Sequence, residues 1–383
     1  MGTDSQGRDR RGQVASSAMK TSRIAADLAR EEDAHRILEV NRLEYGVDDI
    51  LAAPADFVWR HDQNPAGQAI IPVIRDGQGQ VVGFIWVVPI CVRIRGRDYL
   101  VATGTNLVIH PEYRNGLAYT KLMRRFQQVF KDSDIPLHFS FVSENTYRQR
   151  QEQAPQTVSS ISLLVKPLDL ETLAQSYFAE GWQRLIIKGV GPFVLPFLFR
   201  QQPLASGGGI TVQAAEQFTQ DFDGFWDENR EKCPVMVIRD RAYLSWRFAP
   251  VSGRQYHILI ARSQEQMLGY AVLRNCTVRG VHTGLIMDLL LTDGRLGELA
   301  GACLMAETER FFRSRDVSLA AGLVSRSAPE YRALRQAGYV GLPQALAPRA
   351  FHFAFFVHDT SDRDLSSLCA CDWFITLADY ESF

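Results

Sequence analysis

Residues 99–131, YLVATGTNLVIHPEYRNGLAYTKLMRRFQQVFK, decide how the rest of the chain is read. Residues 100–109 are rich in Val, Leu, Ile and Thr, side chains that suit a pleated, half-buried surface, and predict a strand. His110-Pro111 ends it, because proline gives no N–H to a ladder and biases the residue before it. A polar turn over 112–116 follows. Leu122, Phe126, Val129 and Phe130 then recur at helical spacing and give a helix one buried face, with Lys121, Arg124 and Arg125 mostly on the other. A strand thus leads through a glycine-bearing turn into a helix whose N-terminus is aimed at the strand's end. Unpaired amides in such a first turn, with the positive end of the helix dipole, attract phosphate. Arg114 adds positive charge there, and Gly116 permits close approach of a ligand to the backbone. The plainer reading of the same residues is an ordinary strand-to-helix connection with a surface arginine.

Outward from this stretch, one order of elements occurs twice. Before it come a strand at 22–28, a helix over 30–45, the segment Phe57-Val58-Trp59-Arg60, a turn at 64–67 and a strand at 69–75. A hairpin turn at 76–79 leads to a strand at 81–88, and residues 91–94 pair with 99–109 in a second hairpin. Residues 136–142 make a further strand. In the second half, residues 210–214 predict a strand and 216–232 a helix. Tyr243-Leu244-Ser245-Trp246-Arg247 echoes the earlier Trp-Arg segment, and strands follow at 256–261 and 267–272. Residues 285–291 take the place of the central strand, 296–312 of the central helix and 317–323 of the next strand. An offset of about 187 residues aligns Trp59-Arg60 with Trp246-Arg247, which points to internal duplication. At the second turn, Asp293 is expected to cap the helix with its own carboxylate and Glu298 to repel phosphate, so the second copy reads as degenerate.

The 383 residues are enough for two domains with substantial cores, and 46% apolar with 22% charged residues is ordinary for a globular chain. A formal net charge of −1 gives no global attraction to nucleic acid or anionic membrane. The six cysteines show no paired metal spacing, so no metal is expected, and they read as reduced core residues. Residues 1–20 are polar and aperiodic and read as a disordered leader. Residues 190–199 are apolar but broken by two prolines and too short to span a bilayer; they read as part of a linker or, alternatively, as a lip for a long acyl chain. Without a signal peptide or stable membrane insertion, the expected location is cytoplasmic.

The wording VIHPEYRNGLA followed by a helix resembles the GNAT acyltransferase superfamily, and the chain as a whole resembles its subgroup built from two GNAT-like halves. The resemblance implies an α/β (α+β) protein of two tandem domains, each a mixed, mostly antiparallel twisted sheet flanked by helices. The domains are expected at 21–169, binding acyl-CoA, and 209–383, degenerate, with a linker at 170–208. It further implies that Arg114, Asn115, Gly116, Leu117, Ala118 and Tyr119 hold the pyrophosphate of acetyl-CoA or another acyl-CoA. Leu107, Val108 and Ile109 would offer backbone groups to the pantetheine arm. The family's Arg/Gln-x-x-Gly-x-Gly/Ala turn has one more residue between Arg114 and Gly116 than this chain.

FSFVSENTY at 139–147 is similar to the family's second motif, where Asn145 matches an Asn that also contacts the cofactor. The family's proton-donor tyrosine has no direct match, and Tyr147 or Tyr119 takes its place. Glu144, Glu112, His138 and His110 are the candidate bases. Asn106 stands on the central strand beside Thr103 and Thr105, where an ordered water would relay protons. The function so implied is transfer of an acetyl group to a primary amine of a small metabolite or amino sugar. The alternatives are a long-chain donor, on coenzyme A or an acyl carrier protein, an aminoacyl-tRNA-dependent ligase, and a sensor that binds acyl-CoA without catalysis.

Overall fold

The computed structural model describes residues 24–177, 209–251, 253–343, 347 and 349–380; the expected leader and the apolar run 190–199 lie outside the described residues. Two sheets carry the fold. The first runs β1 (Ala25–Leu28), β2 (Pro72–Arg75), β3 (Val81–Ile94), β4 (Arg97–Ile109), β5 (Leu137–Val142), β15 (Phe351–Val357) and β6 (Val158–Ile161), with β9 (Val235–Val237) and β16 (Trp373–Phe374) attached at the end of β3. The second runs β14 (Val340–Gly341), β7 (Leu163–Pro167), β13 (Leu319–Leu323), β12 (Val281–Leu291), β11 (Gln266–Val278), β10 (His257–Ser263) and β8 (Ile210–Ala215). Pairing is antiparallel except at β4/β5, β12/β13 and β9/β16. Among the described residues, the helices of seven residues or more are α1 (Ala34–Tyr45), α2 (Pro54–His61), α3 (Gly116–Asp132), α4 (Glu144–Gln153), α5 (Leu170–Tyr177), α6 (Asp221–Asn229), α7 (Arg241–Arg247), α8 (Gly294–Arg313) and α9 (Pro329–Gln336).

The sheets trade strands. β7 precedes the expected boundary at residue 169 yet pairs in the second sheet with β13, and β15 from the C-terminal part inserts between β5 and β6 of the first. Both exchanged strands are apolar enough to be buried in either sheet. Phe351, Phe353 and Phe355 of β15 join Leu137 and Phe139 of β5 in one continuous core that also holds the inner face of the second sheet. A smaller cluster lies under α3, where Leu122, Phe126, Val129 and Phe130 are buried as their spacing predicts.

The duplicated Trp-Arg segments meet each other. Trp59 Nε1 donates to the Trp246 carbonyl at 2.6 Å, Trp246 Nε1 donates to the Trp59 carbonyl at 2.9 Å, and the rings stack at 5.0 Å. Reciprocal contacts of this kind are what a pseudo-twofold axis between two copies produces. Two element boundaries differ most from the sequence reading. β3 is one strand from Val81 to Ile94, running through Pro89. The missing N–H is tolerated because β2 pairs with its first residues and β9 with Val92–Ile94, and Pro89 lies in the gap between them. The helix expected over 216–232 is confined to Asp221–Asn229. The cysteines are half-buried, and Cys371 is exposed, so none belongs to the fully buried core.

Candidate active site

The central strands part company. β4 and β5 are parallel neighbours, but their pairing covers only Ala102 with His138 and Thr103 with Phe139. Beyond these two rungs the strands diverge toward their carboxyl ends, the place where ligands enter open α/β sheets. A bulge sharpens the divergence. Asn106 takes a left-handed φ of +50°, and Asn106-Leu107 stand opposite the single residue Ile85 of β3. Asparagine tolerates this conformation better than most residues.

The parting opens a cavity of about 420 Å³. Thr103 to Leu107 form its β4 edge and Ser140 to Ser143 its β5 edge. Tyr119, Met123 and Phe126 of α3 close one side; Tyr45, Arg349, Asp379 and Tyr380 close the other. α3 follows β4 after residues 110–115 and α4 follows β5 after Ser143, and Ser143 and Thr146 at the start of α4 line the cavity. The helix dipoles favour a negatively charged ligand at these N-termini.

At the start of α3, Pro111–Tyr113 form a single 3-10 turn and Asn115 is the N-cap, its Oδ1 accepting from the Ala118 amide at 2.9 Å. The amides of Gly116 and Leu117, at the first two helical positions, have no intrahelical acceptor. A side chain placed on Gly116 would meet nothing within 4 Å, so the approach is open. Arg114 is anchored, its Nε donating to the Ile109 carbonyl at 2.8 Å and its guanidinium paired with Glu44. With its side chain half exposed, the pair is weak enough to be exchanged for a phosphate.

Of the residues singled out from sequence, Thr103, Thr105, Asn106, Leu107, Tyr119 and His138 line the cavity. Val108 and Ile109 are buried in the ladder with β3, and Arg114, Asn115, Gly116, Leu117 and Ala118 form the turn beyond it. Asn145 is exposed in the first turn of α4. Tyr147 stacks on His352 of β15 at 4.2 Å, outside the cavity lining. Glu144 accepts from Arg148 Nε at 2.7 Å and lies 2.6 Å from His352 Nε2. Those two partners hold its carboxyl below the usual range, which makes it a poor proton acceptor.

His138 is 2.7 Å from His358 and stacked among Phe130 and Phe356, and burial keeps it well below the ordinary histidine value. His358 is lowered for the same reason, to about 4. The sequence reading missed Ser140, Ser143, Thr146, Arg349 and Tyr380 as lining residues and gave Asp379 no role. Ser143 carried a signal, as an N-cap serine directly after a strand.

The second copy is closed at every corresponding point. β12 and β13 stay paired over four rungs, from Thr283–Leu319 to Ile286–Gly322. Only Thr292 and Asp293 connect β12 to α8, against residues 110–115 in the first copy. Asp293, expected to cap α8, makes no side-chain cap bond; it faces Lys232 Nζ at 3.9 Å. The short connection presses the helix onto the strand instead, so a side chain on Gly297 would fall 1.7 Å from the Thr292 carbonyl oxygen. Buried Lys232 bonds Glu330 and the Leu291 carbonyl at the strand's end.

Among the described residues no helix is long and apolar enough to cross a membrane, and no cluster of three or more His, Cys, Asp or Glu could hold a metal ion. No family model matches the sequence, and no curated protein does. Solved structures are similar in fold. A GCN5-related N-acetyltransferase from Anabaena variabilis matches at TM-score 0.57 with 12% identity, over 88% of this chain and 73% of that one. An Enterococcus faecalis protein designated a probable N-acyltransferase matches at 0.56 with 12% identity, over 88% and 72%. N-myristoyltransferase from Saccharomyces cerevisiae, with bound myristoyl-CoA, matches at 0.54 with 12% identity, over 88% and 79%. The chain has the GNAT-type fold of these proteins, built twice in tandem.

Proposed function

We propose that the chain is an acyl-coenzyme A-dependent N-acyltransferase that passes an acetyl group to a primary amine of a small metabolite or amino sugar. The observation that carries this reading is the parting of β4 and β5 after two rungs, which leaves strand edges able to receive an amide-bearing arm in place of a neighbouring strand. The diphosphate would lie against the Gly116 and Leu117 amides, joined by Arg114 released from Glu44. The thioester would then reach the cavity, where donor and acceptor enter from opposite sides and the reacting atoms are held together. Asn106, at the bulge, would stabilise the thioester carbonyl, and Tyr119, which also lines the cavity, would protonate the leaving thiolate.

A long-chain donor is the second reading. It is favoured by the apolar lining from Leu107, Met123, Phe126 and Phe356, and by the yeast neighbour's myristoyl-CoA.

Thermal unfolding in the presence of acetyl-CoA, myristoyl-CoA and coenzyme A tests both readings, since a ligand that binds only the folded state raises Tm. Stabilisation by acetyl-CoA beyond that by coenzyme A supports the first reading; preference for the myristoyl thioester supports the second. Arg114→Glu is expected to abolish either response with the fold intact. Unchanged affinity in that variant would refute the placement of the diphosphate.

A further inference from the structure

Behind the acceptor side of the cavity, the C-terminal segment is locked down by arginines of the second half. Arg247 donates to the carbonyls of Ala378 and Tyr380 at 2.6 and 2.9 Å. Arg239, itself fully buried, lies between two buried carboxylates, with Nε 3.1 Å from Asp288 Oδ2 and Nη2 2.9 Å from Asp379 Oδ2. Asp288 is saturated, taking further bonds from Tyr270 and Thr376, each at 2.8 Å. Asp379 is not: its Oδ2 also accepts from the Thr376 amide at 2.8 Å, but its buried Oδ1 has no hydrogen-bond partner. Asp379 is also the one carboxylate among the described residues lining the cavity.

We propose that Asp379 receives the acceptor's ammonium group at the wall of this cavity and removes its proton. The unpaired Oδ1 of Asp379 is a buried acceptor that an ammonium group from the cavity would satisfy. The groups facing Asp379 reinforce this. Arg239 is committed to both carboxylates, Arg247 donates to backbone carbonyls with its Nη1 unpartnered, and Arg349, which also lines the cavity, lies over the Tyr380 ring at 4.8 Å. Tyr243 and Tyr270 have pKa values raised by burial, which keeps them neutral. Burial and the nearby Asp288 charge raise the Asp379 carboxyl above its ordinary value, with Arg239 opposing, so it is a stronger base than Glu144.

In the reaction, Asp379 takes one proton from R–NH3+. The freed nitrogen lone pair forms the C–N bond at the thioester carbonyl, and the C–S bond breaks. Tyr119 protonates the departing thiolate and is reprotonated by the second nitrogen proton, and Asp379 returns its own proton to solvent. The products are an amide, a thiol and one proton.

This inference rests on the acyl-transfer reading, and the full-length chain separates the two. Infrared difference spectroscopy during a pH titration should show one carboxylic acid that persists above the ordinary carboxylate range, is absent in Asp379→Asn and is lost on adding n-butylammonium. Thiol release from acetyl-CoA with n-butylamine, glycinamide and glucosamine should fall about 100-fold in kcat/KM at neutral pH in Asp379→Asn, the scale of a lost general base. Coenzyme affinity should stay within about twofold, and the lost rate should return as pH approaches the amine's own pKa.

Thr376→Val, which perturbs the same cluster but keeps the carboxylate, should retain the infrared band even if stability falls, which decides the matter should Asp379→Asn fail to fold. A band that survives in Asp379→Asn, is missing from Thr376→Val or ignores n-butylammonium overturns the proposal, as does wild-type kcat/KM in Asp379→Asn. A chain that shows the band and its response to amine but binds no acyl-CoA refutes the acyl-transfer reading alone.

Discussion

The two copies of the αβ unit share a topology and differ in how tightly the strand-to-helix joint is drawn. In the first, β4 and β5 separate after two rungs and six residues carry the chain to α3. In the second, β12 and β13 remain paired over four rungs and two residues suffice. The shorter joint brings α8 so close to Thr292 that Gly297 can be nothing larger. One fold therefore yields a receptive cleft or a solid block according to the length of one connection and one bulge. The solid copy is not idle, since its buried arginines fix the tail that walls the open copy's cavity.

Three measurements press on this contrast. Arg239→Leu in the solid copy strands two buried carboxylates and should cost about 3–5 kcal/mol in denaturant unfolding. Loss of under 1 kcal/mol would mean that the cluster is not the clamp described. Gly297→Ala should cost about 1–3 kcal/mol by overpacking against Thr292. Gly116→Ala, at the start of α3 in the open copy, should change stability by no more than about 0.5 kcal/mol while weakening acyl-CoA binding. Equal stability losses in the two would erase the distinction.

A pH effect concerns the His138–His358 pair of the open copy. With His358 held near 4 in the folded state against 6.5 ordinarily, the unfolded chain binds the extra proton between these values. Stability should hold above pH 6.5 and decline as pH falls toward 4, and His358→Phe should flatten that decline. An identical pH slope in the variant would assign the loss to other groups.

Much of this was legible from residue patterns. The buried face of α3 follows from the spacing of Leu122, Phe126, Val129 and Phe130, and the duplication from the two Trp-Arg segments that proved to touch. The strand exchange was not legible, because an apolar alternation such as that of β15 says which face is buried and not which sheet will take it. The cap expected from Asp293 does not form, its carboxylate facing Lys232 instead, and sequence does not encode that tertiary contact locally. Asp379 went unread because it stands three residues after Thr376, a spacing ordinary for a helix cap, and that bond does form. Only the tertiary setting leaves its other oxygen unpaired.

The insertion of β15 between β5 and β6 also bears on how the molecule is made. A ribosome delivers β5 some two hundred residues before the strand that must lie beside it, a wait of roughly 10–40 s at ordinary elongation rates. Throughout that interval the nascent chain has an exposed, phenylalanine-bearing edge with no mate, a site for premature pairing between neighbouring polypeptides.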